Sequence, residues 1–308
     1  MIFTCTLNPS LDYYMESPQE IVPGGQNRST LEYYEAGGKG INVSIVLNNL
    51  EVPTKACGFL GGFTKDFYIT LLEKYSFIQP TFTYIHGHTR VNVKYLDGSS
   101  VTEINAAGPF ITLDDMEHLM AKTYRLDEGD HFVLAGFCPE HLHDSVMAML
   151  ERLMGDKVRV CLNTDTRIMH ESLRFHPFLV KTRIAFLNEA SGRSLAGEDL
   201  YQVLKAIVER GAQNVLCTTD DGSQAYFACG KGVYHGHIIQ HGKAVSMVGT
   251  GDALVAGFIM NTIGSTDVVE AFRFGCCCSE ATAYSKGFGT RERIMEFYDS
   301  LTVEKVMD

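Results

Sequence analysis

Gly249-Thr250-Gly251-Asp252, inside SMVGTGDALVAGF, puts a carboxylate directly behind a glycine turn at the start of an apolar run. A helix opening near residue 250 leaves its first backbone N–H groups without partners. Glycines on both sides of Thr250 leave those groups uncovered, and the helix dipole adds positive potential, so the turn is suited to hold a phosphoryl group. The same field favours the ionised form of Asp252, which predicts a base for a hydroxyl held close by. These are the two ends of a phosphoryl transfer, with the acceptor oxygen at the carboxylate and the migrating group at the amides. A plain capped helix uses the same residues, so the stretch alone leaves both readings open.

EAGGKGINVSIVL is a second glycine turn leading into a helical pattern, and it is not a G-x-x-x-x-G-K-[ST] phosphate loop. Gly38 would let a ligand approach the backbone, Lys39 could meet a negative group, and Asn42 offers a donor and an acceptor to a hydroxyl. Asp12, in TLNPSLD, follows the first strand-like run, where α/β proteins gather ligand contacts. Its carboxylate suits two sugar hydroxyls or, equally, a turn cap. In TRVNVKY the period of two puts Arg90, Asn92 and Lys94 on one strand face, suited to a phosphate or to solvent.

Alternating strands and helices must position these residues. IFTCTLN, TKACGFLG, DHFVLAGF, KVRVCLNT and NVLCTT read as strands. GINVSIVLNNL, FYITLLEKY, HDSVMAMLERLM, DLYQVLKAIVERG and DALVAGFIMNTI read as helices. That rhythm predicts right-handed crossovers and a mainly parallel sheet covered on both faces. Residues 12–34 and 82–105 break it and read as small antiparallel insertions, the second a hairpin turning at Asp97-Gly98. The 308 residues carry 45% hydrophobic side chains and a net charge of −11. A sizeable core is therefore expected, with no nucleic-acid or anionic-membrane partner. Nine cysteines without a C-x-x-C, three of them adjacent at Cys276–Cys278, predict buried free thiols of a cytoplasmic protein. No basic leader opens the sequence and no stretch approaches ~18 uncharged apolar residues, so neither a signal peptide nor a membrane span is expected.

TLNPSLD, AGGKGINV, TRVNVKY, TEINAAGP and VGTGDALVAGF, in this order, resemble the ribokinase-like (PfkB) sugar kinases. The resemblance is strongest to the 1-phosphofructokinase and tagatose-6-phosphate kinase branch and runs from residue 2 to about residue 290. It implies a single three-layer α/β/α domain over residues 1–308 with a small β lid from about 12–34 and 82–107. It further implies a homodimer through that lid. It assigns Asp252 as catalytic base, with Gly249, Thr250 and Gly251 as the anion hole. Asp12, Gly38, Lys39 and Asn42 take sugar-binding positions. Arg90 matches the arginine on the substrate's phosphate, with Lys94 beside it. ATP with Mg2+ is the implied donor, and a small sugar phosphate the implied acceptor.

The donor side departs from the family pattern. N-x-x-E is matched to NEAS, Asn188 to Ser191, which keeps the amide and loses the glutamate. T-x-G-x-x-G is matched to TTDDGS, where Thr219 and Gly222 take nucleotide-cradling positions beside Asp220 and Asp221. S-G-S-L-P-x-G becomes AGFCPEH, with Phe137, Glu140 and His141 in place of small and basic residues. A phosphosugar kinase is the expectation. The departures keep two alternatives open: a weak or inactive sugar-phosphate sensor, and a kinase for an unphosphorylated sugar or nucleoside.

Overall fold

The apolar runs become strands and the amphipathic segments between them become helices in the computed structural model, which describes residues 1–97, 100–237 and 244–308. In chain order the strands are β1 (Ile2–Thr6), β2 (Ser10–Glu16), β3 (Leu31–Gly37), β4 (Thr54–Gly61), β5 (Ile78–Pro80), β6 (Thr83–Ile85), β7 (Arg90–Leu96) and β8 (Val101–Ile104). There follow β9 (His131–Gly136), β10 (Arg159–Thr164), β11 (Leu179–Arg183), β12 (Asn214–Thr218), β13 (Ala225–Cys229), β14 (Gly232–His237) and β15 (Thr302–Met307). The helices are α1 (Lys39–Asn49), α2 (Gly62–Leu72), α3 (Leu113–Thr123), α4 (His143–Gly155) and α5 (Thr166–Ser172). After them come α6 (Ile184–Ser191), α7 (Glu198–Glu209), α8 (Thr250–Asn261), α9 (Val268–Ala283) and α10 (Arg291–Tyr298).

Among the described residues, the large sheet runs β15-β14-β13-β12-β11-β10-β9-β1-β4-β5, with β6 also paired to β4. From β12 to β5 every pairing is parallel, while β13, β14 and β15 add an antiparallel edge. Strand alternation then sorts the core into two halves. Ile2, Val133, Cys161, Leu179 and Leu216 pack on the side of α1, α8, α9 and α10. Phe3, Phe132, Val160, Val180 and Val215 pack on the side of α3 to α7. The result is the three-layer α/β/α arrangement that the alternation of elements implies.

The small sheet has the order β3-β2-β7-β8. Its outer pairings are antiparallel, but β2 and β7 run parallel, with Asp12 opposite Asn92. This departs from the antiparallel expectation for a topological reason. β1 and β6 both run parallel to β4, so the chain leaves the large sheet in the same direction on its way to β2 and to β7. The segment 82–105 is also shorter as an insertion than expected, because β6 stays in the large sheet and the small one starts at Arg90. Of the expected turn at Asp97-Gly98, Gly98 lies outside the described residues; Asp97 accepts bonds from the Ser100 N–H and hydroxyl.

Candidate active site

α8 begins at the carboxyl edge of the parallel strands, after Gly249 in the left-handed conformation (φ +81°). A side chain there would be strained, and its Cβ would fall 2.5 Å from the Phe288 ring. Gly251 is needed for closeness instead: a Cβ would lie 3.2 Å from the Lys181 amine. Two of the N–H groups expected to face an anion are already used. Asp252 N–H donates back to Gly249 O (3.1 Å), and Thr250 N–H makes a longer bond to Met247 O (3.4 Å). Fewer free amides are left at the turn than its sequence implies, and the Lys181 ammonium lies beside it.

Asp252 is 7% exposed and lines a cavity of about 290 Å³ together with Lys39, Lys181, Arg183 and the glycine turn. Asn163 Nδ2 donates to its Oδ1 (2.7 Å) and Asn42 Nδ2 to its Oδ2 (2.8 Å). Burial pushes its pKa up, against the downward pull of Asn42, Lys39, Lys181 and Asn163. The helix field expected to keep it a low-pKa carboxylate is outweighed by loss of water, which suits a group that must receive a proton.

Asn163 and Lys181 are absent from the sequence reading, yet both converge on this carboxylate. Asn163 is in phase with Cys161 on β10 and Lys181 with Leu179 on β11, so both strand ends turn a polar residue toward α8. That phase was the available signal: a polar side chain where the apolar side of a buried strand should continue. Lys181 donates to Thr218 Oγ1 (2.9 Å). Burial lowers its pKa to about 8, Lys39 and Arg183 adding to the effect while Cys217 and Asp252 oppose it.

The residues expected to hold sugar divide into two groups. Gly38 caps α1, and Lys39 opens the helix at the cavity. Asn42 commits its amide nitrogen to Asp252, so it positions the carboxylate. Asp12, on β2, sits against the backbone of Gly37, where a Cβ would come 2.6 Å from its carboxylate. It accepts from Ser10 Oγ (2.7 Å) and Asn92 Nδ2 (3.0 Å) and pairs with Lys94 Nζ (3.2 Å). Burial alone would lower the Lys94 amine, but Asp12, with Tyr14 and Glu103, pushes its pKa up to about 12. Arg90 donates to the carbonyls of Ala106 (3.1 Å) and Asn8 (3.0 Å), and its buried Nε has no hydrogen-bond partner among the described residues. Arg90 and Lys94 share a face as expected, with Lys94 already neutralised.

On the donor side Thr219 and Gly222 line the cavity and form one turn, Gly222 N–H donating to Thr219 O (3.1 Å). Asn188 does not join them. Its Oδ1 accepts from Leu195 N–H (2.8 Å), tying off the end of α6, and Ser191 Oγ donates to Asn188 O. The residues at N-x-x-E spacing that do line the cavity are Arg183 and Phe186. Among the described residues no three His, Cys, Asp or Glu side chains come close enough to hold a metal. The carboxylates at the cavity are Asp220 and Asp252, facing Lys39, Lys181 and Arg183. Mg2+ beside a polyphosphate takes one or two free carboxylates; here both Asp252 oxygens are held by Asn42 and Asn163, and Asp220 shares the cavity with three cations, so these side chains do not fit a protein-held Mg2+.

A parallel α/β sheet that opens a helix N-terminus, a buried carboxylate and three cations onto one cavity has the form of a phosphotransferase of the ribokinase type. The chain belongs to the pfkB family of carbohydrate kinases, whose pattern it matches over residues 6–293. It is 35% identical to the 1-phosphofructokinase of Bacillus subtilis, across 99% of this chain and 100% of that protein. It is 28% identical to a D-tagatose-1-phosphate kinase of Bacillus licheniformis, across 94% of each. The fold matches Escherichia coli phosphofructokinase-2, solved with substrates and products, with a TM-score of 0.90 at 22% identity over 97% of this chain and 98% of that one.

Proposed function

We propose that this kinase transfers the terminal phosphoryl group of ATP to the free primary hydroxyl of a ketohexose 1-phosphate, of the fructose or tagatose series. The observation that carries the proposal is Asp252: a buried carboxylate of raised pKa, gripped by two amides beside a helix N-terminus and the Lys181 amine. The acceptor hydroxyl gives its proton to Asp252 as its oxygen bonds to the terminal phosphorus. The bond from that phosphorus to the bridging oxygen of ADP breaks, and ADP leaves. Lys181 and the Gly249–Gly251 turn stabilise the charge on the migrating group. Lys39 serves the same anion from the α1 side. Asp12 and Arg90 belong to the acceptor, Asp12 for sugar hydroxyls and Arg90 Nε for the existing phosphate. The small sheet serves as the lid that excludes water. Its face opposite Asp12 exposes Tyr34, Val91 and Ile104, and a second copy of the chain is proposed to cover it.

ADP release with ATP, measured across fructose 1-phosphate, tagatose 1-phosphate, fructose 6-phosphate, tagatose 6-phosphate and fructose, tests the reading. The 1-phosphates are expected to give the highest kcat/KM. Asp252→Asn is expected to lower turnover on them by roughly 100-fold or more, since a general base contributes about that much. Preference for fructose, or full activity in Asp252→Asn, would overturn it.

A further inference from the structure

Three cations, Lys39, Lys181 and Arg183, line the cavity beside the glycine turn, against two carboxylates. Arg183 ends β11 in register with Thr218, at the foot of the turn carrying Thr219 and Gly222. Its guanidinium lies 4.4 Å from the centre of the Phe186 ring, which braces it over an exposed opening. Lys181, two residues earlier, shares its strand face, and Lys39 approaches from α1. Of the two cavity carboxylates, Asp252 is held by Asn42 and Asn163, which leaves Asp220 as the other.

A divalent cation entering with the donor would face three fixed positive charges with one uncommitted carboxylate in return. A metal-free triphosphate carries two more negative charges than its magnesium complex, and each tethered cation attracts that excess. We propose, resting on the kinase reading above, that this chain takes its nucleoside triphosphate in the metal-free form. Lys181, Arg183 and Lys39 then supply the neutralising charge on the polyphosphate, and Arg183 is the residue that sets the preference.

Calorimetric titration of the full chain with ATP, in EDTA and in excess magnesium chloride, tests this without turnover. Metal-free ATP is expected to bind more tightly than the magnesium complex, by threefold or more. Arg183→Glu, at an exposed position, is expected to weaken metal-free ATP tenfold or more with an unchanged circular dichroism spectrum, and Arg183→Lys to recover part of the loss. Metal-free ATP binding no more tightly than the magnesium complex would overturn the proposal, as would undiminished metal-free binding in Arg183→Glu. Sugar phosphorylation in excess magnesium alongside weak binding in EDTA would remove this inference and leave the kinase reading standing. No ATP binding under either condition, with no turnover, would remove both.

Discussion

Asp252 and Lys181 sit in the same dry pocket with shifts of opposite sign, and both shifts favour the neutral form. Burial raises the Asp252 pKa above the ordinary aspartate value of 3.8 and lowers the Lys181 pKa from 10.5 to about 8. Asp252 works as a base when deprotonated, so activity falls as pH drops through its raised pKa. Lys181 works as a cation when protonated, so activity falls again as pH rises past about 8. A bell-shaped kcat/KM profile is expected, with macroscopic limits that belong to the coupled pair. Lys181→Arg is expected to remove the alkaline limb, because guanidinium stays charged over this range. An alkaline limb that survives the substitution would take Lys181 out of that role. Asp252 could be singled out at its glycine turn, where a helix cap was the other reading, and the order of the motifs along the chain favoured the base. Asn163 left only a faint signal, a polar position near the end of the apolar run KVRVCLNT, and Lys181 lies in LVKTR, a short segment with more polar than apolar residues that does not stand out as a strand.

The opening of α8 depends on Gly249 for two separable reasons, its left-handed backbone and the ring of Phe288 beside it. Gly264 has a matching φ of +83° but open space around it. Gly264→Ala is therefore expected to cost only the backbone strain, about 1–2 kcal/mol. Gly249→Ala should cost more, read as a larger fall in the denaturant midpoint; equal losses would mean that Phe288 yields freely. Glycine turns and strand–helix alternation were legible because they follow from local backbone geometry and periodicity. The parallel β2–β7 pairing was not, since it depends on which edge of the large sheet the chain leaves. Asn188 was misplaced for a related reason. NEAS keeps the Asn of N-x-x-E while RIAF keeps neither residue, so the sequence favours the frame that lies away from the site, and only the end of β11 decides that Arg183 and Phe186 line the cavity.

The small sheet is amphipathic across its thickness, with Asp12, Asn92 and Lys94 on one side and Leu11, Tyr13 and Val93 on the other. Near α2 the apolar side is covered, as Leu11 and Ala36 pack with Tyr68; farther out Tyr34, Val91 and Ile104 are open to solvent. Sedimentation velocity is expected to return a dimer for the natural chain and a monomer for Ile104→Asp; a monomeric natural chain would leave that surface without its proposed occupant. The core carries its own reporters. All nine sulfhydryls are unpaired and shut away, Cys276, Cys277 and Cys278 under one helical layer and Cys5, Cys57, Cys138 and Cys217 under the other. An electrophile in the surrounding water can therefore reach Cys5, Cys57, Cys217 or Cys276 to Cys278, all without exposed surface, only when a layer lifts away from the strands, and which of these sulfurs it marks tells which layer moved.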